Sequence, residues 1–506
     1  MSGGALQLVT TDADATIAST GAPHSPARAT PAVEISLRTL ARHGAFWSMA
    51  AFGGSQVLRL AGNLILTRLL FEEAFGWIAL VGALLQGLQL FSDVGIGPSI
   101  IQSKRGEDPR FLNTAWTVQI LRGLVLWVCA CLVALPFARF YGDPVLALIV
   151  PVSGLTALIS GFNSTRIFSM YRNVDLARVA RVELGSQAAG LVVTCGWALV
   201  DRSIWALVAG GLGGSLARLV LSHTVLPGIT NRLSWDPSAV RALFHFGRWI
   251  FFSTLLTFVV GQSDRLIFGK MIPIALLGVY GVAAMIATMP ATALGRMGHS
   301  VFFPIYSRVH NAGVDLREIF GRVRLPLLLI AGWTSAGLSG GGEAAVHLLY
   351  DVRYAEAGWM VQLLALASWF TVLEATNGAA LLARGEARWT AASNAGKLAG
   401  MIVLIPTGYY AAGFHGAIAG LVLSEVLKYA VSAFAAGRAG LRGWPQDLAL
   451  SAWVLITAWL GSFSANFAES MGGSRFAVAS AVFLSVSLLW TPLALRYWTT
   501  RRTRPS

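Results

Sequence analysis

The chain runs to 506 residues, of which 55% are hydrophobic and only 12% are charged, with a formal net charge of +14. That balance excludes a soluble fold of this length, in which about a quarter of the residues are charged. The basic excess reads as a topological signal plus attraction to anionic lipid head groups, and not as a nucleic-acid footprint.

Residues 1–35 are rich in Ala, Thr, Ser and Pro and lack an apolar core segment, so they are expected to form a disordered cytoplasmic tail and not a cleaved signal. Fourteen apolar stretches follow, near residues 42–66, 76–100, 113–137, 144–164, 179–200, 203–223, 244–268, 273–295, 323–342, 357–382, 389–411, 413–436, 447–467 and 475–496. Runs of about 20 apolar residues match the hydrocarbon thickness of a bilayer, and their continuity predicts helices over barrel strands. The fold class expected is an all-α polytopic membrane protein.

Of the 38 basic residues, 27 fall on the side that carries both termini, six on the opposite side and five within spans. The asymmetry puts both termini in the cytoplasm. Cys129, Cys131 and Cys195 lie in spans without metal-ligand spacing and read as packing residues.

Motifs for catalysis are nearly missing. There is no GxxxxGK[ST] loop, HExxH or paired CxxC. Gly337, Ser339 and Gly341 formally satisfy GxSxG, but they sit in an expected membrane helix where the motif needs a strand-to-helix elbow. Outer loops no longer than about 16 residues argue against envelope polymerases, ligases and glycosyltransferases. No catalytic residue, metal site or cofactor is assigned.

A shift of 202 positions superposes Ile65 to Leu80 on Ile267 to Val282, matching Ile65 with Ile267, Arg68 with Lys270 and Gly76 with Gly278. Six spans precede the second copy, and an even number restores the starting orientation, so the halves are expected to be parallel repeats. The predicted organisation is a tail over 1–35, a six-helix lobe over 36–235, a second over 236–440 and a final helix pair with a basic tail over 441–506.

The segments HGAFW (His43 to Trp47), LTRLLFEEAFGWIAL (Leu66 to Leu80), FSDVGIGPSIIQ (Phe91 to Gln102) and GQSDRLIFGK (Gly261 to Lys270) resemble the polysaccharide transporter, or Wzx-type flippase, branch of the MOP superfamily. The resemblance runs from about residue 38 through the twelfth span. It implies a fourteen-helix, two-lobe flippase of a polyprenyl-pyrophosphate-linked oligosaccharide in the bacterial inner membrane. The glycan would serve exopolysaccharide, capsule or lipopolysaccharide synthesis, with polysaccharide polymerases as possible partners. Lipid II flippases and MATE exporters of small molecules share the fold and supply the alternative functions.

A pyrophosphate crossing hydrocarbon needs cations in a wet cavity, and each intramembrane charge costs at least a few kcal/mol unless it faces protein or water. Substrate contact is therefore expected of Arg59, Arg122, Arg265 and Lys397, with Lys428 the fifth intramembrane base. Interhelical bonding or snorkelling is the bland alternative for Arg59 and Arg122. Glu374, Asp264 and Glu425 are the ion-coupling or gating candidates. Glu425 and Lys428, three apart, pair with each other in one reading, and Glu374 with Lys397 in another. Asp264 and Arg265 equally fit interface anchoring, and Asp93 is expected to cap a helix or fix lobe closure. Pro290 and Pro406 are expected bends, and Gly53, Gly54, Gly185 and Gly190 expected close contacts.

Overall fold

The computed structural model describes residues 31–92, 95–297, 302–311 and 315–502. Asp93 and the tail to residue 30 lie outside the described residues, and the first helix already begins at Pro31. In chain order the helices are α1 (Pro31–Leu69), α2 (Glu72–Phe91), α3 (Ile96–Gln102), α4 (Pro109–Tyr141), α5 (Val145–Gly161), α6 (Arg166–Arg172), α7 (Leu176–Val200) and α8 (Trp205–Thr224). Then come α9 (Pro237–Met271), α10 (Ile274–Met297), α11 (Phe303–Asn311), α12 (Leu316–Leu349), α13 (Ala357–Ala383), α14 (Ala387–Arg438), α15 (Trp444–Ser470) and α16 (Arg475–Arg502). Among the described residues every regular element is helical, as a chain whose backbone must satisfy itself inside lipid requires.

Eight of these helices are long and apolar enough to cross a membrane on composition alone. The other expected spans coincide with α1, α5, α7, α9 and α12. The second expected span is divided between two helices: α2 ends at Phe91, and Gly95, at φ 64°, caps the separate α3. The eleventh and twelfth are the two legs of α14, which folds back on itself where Ala412 and Gly413 leave helical geometry. The legs pack so closely that a Cβ on Gly408 would meet the Gly416 carbonyl at 2.2 Å. Large apolar side chains such as Leu132, Val192, Phe463 and Leu488 stay exposed on the outside of the bundle, the surface a bilayer would cover.

Helix starts on one face share a device. Asp108, Asp175, Asp236 and Asp315 each accept a backbone N–H at the first turn of α4, α7, α9 and α12, with Pro109 and Pro237 adding a preset φ. Arginines of the same face close helix ends. Arg166 donates to the carbonyl of His223 in the last turn of α8 and to those of Leu226 and Ile229 beyond it, and Arg172 to those of Ile100, Ile101 and Ser103 at the end of α3. These two basic residues of the face therefore serve as capping groups.

The internal repeat is visible where the halves meet. A Cβ on Gly76 would clash with the Ile274 carbonyl at 2.1 Å, and one on Gly278 with the Glu72 carbonyl at 2.0 Å. Those four residues are related pairwise by the shift of 202, so α2 and α10 cross at a local two-fold that glycine alone permits. Beside it, the Tyr141 hydroxyl at the end of α4 donates to the Leu266 carbonyl of α9, and the Tyr350 hydroxyl after α12 donates to Asn63 of α1 at 2.7 Å. Each half thus reaches into the other on the face of the α1–α2 turn. Of the glycines singled out by sequence, Gly54, Gly185 and Gly190 do sit against neighbours; Gly53 has open space and no packing role. Helices α10 and α14 run on through Pro290 and Pro406.

Candidate functional site

Between the two halves lies a cavity of about 730 Å³ lined from α1, α2, α9, α10, α12, α13 and α14. It gathers five of the seven residues expected to carry function: Arg59, Asp264, Arg265, Lys397 and Glu425. Arg59 and Asn63 share a face of α1 at one helical turn's spacing. Arg59 is exposed to the cavity and makes no hydrogen bond or ion pair with the described residues. That rules out the interhelical bond to described residues that the sequence left open.

Arg265 is positioned through a relay. It donates to Gln262 at 3.2 Å, and Gln262 donates to Gln86 of α2 at 2.8 Å, so its guanidinium is tied across the two halves. Asp264 accepts from the Tyr280 hydroxyl through one oxygen, while its buried Oδ1 has no partner. Neither residue pairs with the other; neighbours on a helix point about 100° apart.

The charged pairs of the second half differ from both sequence alternatives. Lys397 pairs with Glu425, and Lys428 with Glu374 at 3.0 Å. Because α14 is a hairpin bent at Ala412–Gly413, Lys397 on one leg and Glu425 on the other face one another across it. Lys428, one turn on, reaches α13 instead. The Glu425–Lys428 and Glu374–Lys397 pairings are therefore both overturned. Glu374 and Lys428 do not line the cavity.

Arg122 also lies elsewhere. Its guanidinium donates to Ser92 Oγ at 2.9 Å and to the Gln89 carbonyl at 2.6 Å, at the end of α2. It lines a separate chamber of about 400 Å³ roofed by α3 and α6.

Arg218 and Arg324, two of the 27 basic residues counted by sequence on the side of the termini, are internal. Arg218 of α8 lines the Arg122 chamber. Arg324 of α12 is fully buried and forms an ion pair with Asp447 of α15, besides donating to Asn377 Oδ1 at 3.0 Å, Gln446 Oε1 at 3.2 Å and the Gly443 carbonyl at 3.1 Å. Tyr429 donates to the other oxygen of Asp447 at 2.9 Å. The network ties the final helix pair to α12, α13 and α14. Asp447 opens an expected span, and a lone carboxylate there reads as interfacial; the signal that marks it is a matching basic residue, Arg324, at the start of another span.

At the face of the α1–α2 turn, Arg353 spans the two halves. It bonds Asp351 at 2.7 Å, lies 3.4 Å from Glu72 and donates to the carbonyls of Thr67 and Leu70. Hydrogen bonding from Arg353 lowers the Asp351 carboxyl below the usual range, so this latch is ionic at neutral pH. On the opposite face Arg105 bridges Asp108 at 3.0 Å and Asp236 at 2.9 Å, which holds Asp236 down at about 2. Gly337, Ser339 and Gly341 lie within the continuous helix α12 and form no elbow.

A family model described as polysaccharide biosynthesis protein matches residues 65–358. The lipopolysaccharide biosynthesis protein WzxC of Escherichia coli is 22% identical over 433 residues, covering 83% of this chain and 85% of its own. The teichuronic acid biosynthesis protein TuaB of Bacillus subtilis is 24% identical over 59% of this chain and 62% of its own. The succinoglycan biosynthesis transport protein ExoT of Rhizobium meliloti is 22% identical over 63% and 64%. The matches thus span less than two thirds of TuaB and ExoT. Among solved structures, the lipid II flippase MurJ in an inward closed conformation superposes with a TM-score of 0.70 at 12% identity, covering 89% of this chain and all of that one. An inward-facing MATE family multidrug transporter of the MOP superfamily gives 0.60 at 15% identity over 78% and 95%. These likenesses establish the two-lobe fold.

Proposed function

Because this chain belongs to the polysaccharide biosynthesis protein family, we propose that it is a flippase carrying a polyprenyl-pyrophosphate-linked oligosaccharide across the bacterial inner membrane for exopolysaccharide, capsule or lipopolysaccharide synthesis. The observation that carries this reading is the unpaired Arg59 in the central cavity, flanked by Arg265 and Lys397. Three cations against the two carboxylates Asp264 and Glu425 leave the lining net positive when all are ionised. A cavity of that sign suits a pyrophosphate and disfavours a small organic cation, the cargo of the rival exporter reading.

The lipid end of the substrate has a matching surface. An apolar groove of about 330 Å³, walled by Trp333, Val482, Phe483 and Val486, shares Pro290 and Leu338 with the cavity, so a prenyl chain can lie in it while its pyrophosphate sits among the cations. Chemistry is not needed, only differential binding to two conformations.

In this reading both termini are cytoplasmic, with lobes over 36–235 and 236–440 and the final pair after 441. The α1–α2 turn then faces outward, and the Arg353 and Tyr350 contacts form the outer gate that must part to release the glycan. Glu374 and Glu425 are already neutralised by lysines. Asp264, whose Oδ1 is buried without a partner, is the carboxylate we assign to coupling or gating. Polysaccharide polymerases are the proposed partners downstream.

The test is export in cells that depend on this chain. Arg59→Ala is expected to abolish glycan export with the protein still abundant in the membrane, and Arg59→Lys to rescue poorly because the bidentate fork is lost. Arg265→Ala should impair export too. Full export by both alanine variants would remove the cavity from the mechanism.

A further inference from the structure

The first lobe contains two chambers in series behind the central cavity. One of about 630 Å³ meets the central cavity at Arg59, Asn63, Phe75 and Met285. It meets the Arg122 chamber, in turn, at Ser160 and Arg218. Its wall from α7 and α8 is small and polar, with Ser186, Gln187, Gly210, Gly214 and Ser215, so bare backbone and hydroxyls face a wide space. Arg218 stands at the junction with a buried Nε that has no hydrogen-bond partner. Among the described residues no Asp or Glu lines either chamber, in contrast to the central cavity.

A guanidinium never deprotonates in practice, and a buried donor left without an acceptor is destabilising. An arginine retained in a roomy polar chamber with no carboxylate therefore asks for an anion from outside the protein. The pyrophosphate is an unsuitable source. It is covalently bound to the prenyl chain, and the apolar groove touches the central cavity at Pro290 and Leu338 on the second-lobe side, away from the junction at Arg59 and Asn63. With the lipid in the groove and the pyrophosphate at the cavity's cations, what extends past Arg59 is the sugar chain.

Resting on the flippase reading, we infer that the first-lobe chambers bind the distal sugars of the substrate and that Arg218 recognises a carboxylate carried by one of them, making the chain selective for an acidic oligosaccharide. A charge-assisted contact of this kind gives on the order of ten- to hundredfold discrimination.

The experiment uses the full chain in proteoliposomes with two probes: an undecaprenyl-pyrophosphate tetrasaccharide ending in glucuronate, and the same compound with that carboxyl reduced to the neutral sugar. Wild type is expected to move the acidic probe at least about tenfold faster. Arg218→Gln should lose that preference by slowing the acidic probe alone, and Arg218→Lys should keep part of it, with melting temperature confirming that each variant is folded. Equal slowing of both probes would make Arg218 a pyrophosphate or folding residue and overturn the inference. So would a wild type that moves both at one rate, a result that needs no variant and leaves the flippase reading standing. Movement of neither probe by wild type would take the flippase reading down with it.

Discussion

The two halves meet at the repeated glycines Gly76 and Gly278, yet they differ in how they hold several of their intramembrane bases. In the first, Arg59 and Arg218 line one chamber that has no described carboxylate, and neither makes an ion pair with a described residue. In the second, among the described residues, three bases are answered by carboxylates, Lys397 by Glu425, Lys428 by Glu374 and Arg324 by Asp447, and Arg265 is held by Gln262. Helical scaffolds of one design can thus hold a cation either as a binding group, kept unpaired at a cost in stability, or as a fastener, whose charge is cancelled within the protein. Mutations should separate the two classes, with fasteners changing stability and binding groups changing transport.

The largest stability effect is expected at Arg324. Its guanidinium is fully buried, so Arg324→Leu leaves Asp447 charged and unpaired and should cost about 3–5 kcal/mol. Adding Asp447→Leu should recover only part of the loss, because Asn377, Gln446, Tyr429 and the Gly443 carbonyl also lose a partner. Thermal denaturation in lipid nanodiscs measures both. A single variant as stable as wild type would mean that Arg324 is no fastener.

Next in size is the Lys428–Glu374 pair, whose side chains are 15% and 9% exposed. Glu374→Gln should destabilise by on the order of 2 kcal/mol. The double variant Glu374→Gln, Lys428→Met should recover most of that, since few other groups depend on the pair. Combining Glu374→Gln with Lys397→Met should not recover it and should strand Glu425 as well. Recovery by Lys397→Met in place of Lys428→Met would refute the observed pairing.

These pairings also mark where sequence reading stopped. The helices were legible because apolar runs of bilayer length have few other solutions, and the break at Ala412–Gly413 fell between two expected spans. The repeat was legible through Gly76 and Gly278, whose reciprocal carbonyl contacts explain why both copies kept glycine. Five site residues were legible simply as charges inside spans. Partner choice was not, because Glu425 and Lys428 are adjacent on one helix face while the actual partners come from the other leg of α14 and from α13. Depth was not legible either. Arg218 lies near the end of an expected span, where a surface position is the simple expectation, but α3 and α6 wall the chamber it lines.

The smallest effect belongs to the surface counterpart of these pairs, the Arg105 bridge to Asp236 and Asp108. Asp236→Asn is the cleanest probe, because asparagine still caps α9 while the charge is removed. Both groups are at least partly exposed to solvent, so the loss in melting temperature should be no more than one surface ion pair supplies, and added salt should shrink it. The bond from Arg105 lowers the Asp236 carboxyl to about 2, while an unfolded aspartate titrates near about 3.9. A carboxylate depressed in the folded state contributes its stability in full above the unfolded value and loses it as pH falls toward the folded one. The gap between wild type and Asp236→Asn should therefore be constant from neutral pH down to about 5 and close progressively below about 4. A gap that stayed open through that lower range, or one as large as that of Arg324→Leu, would show that this exposed bridge is a fastener like those of the second lobe and would erase the contrast between the two.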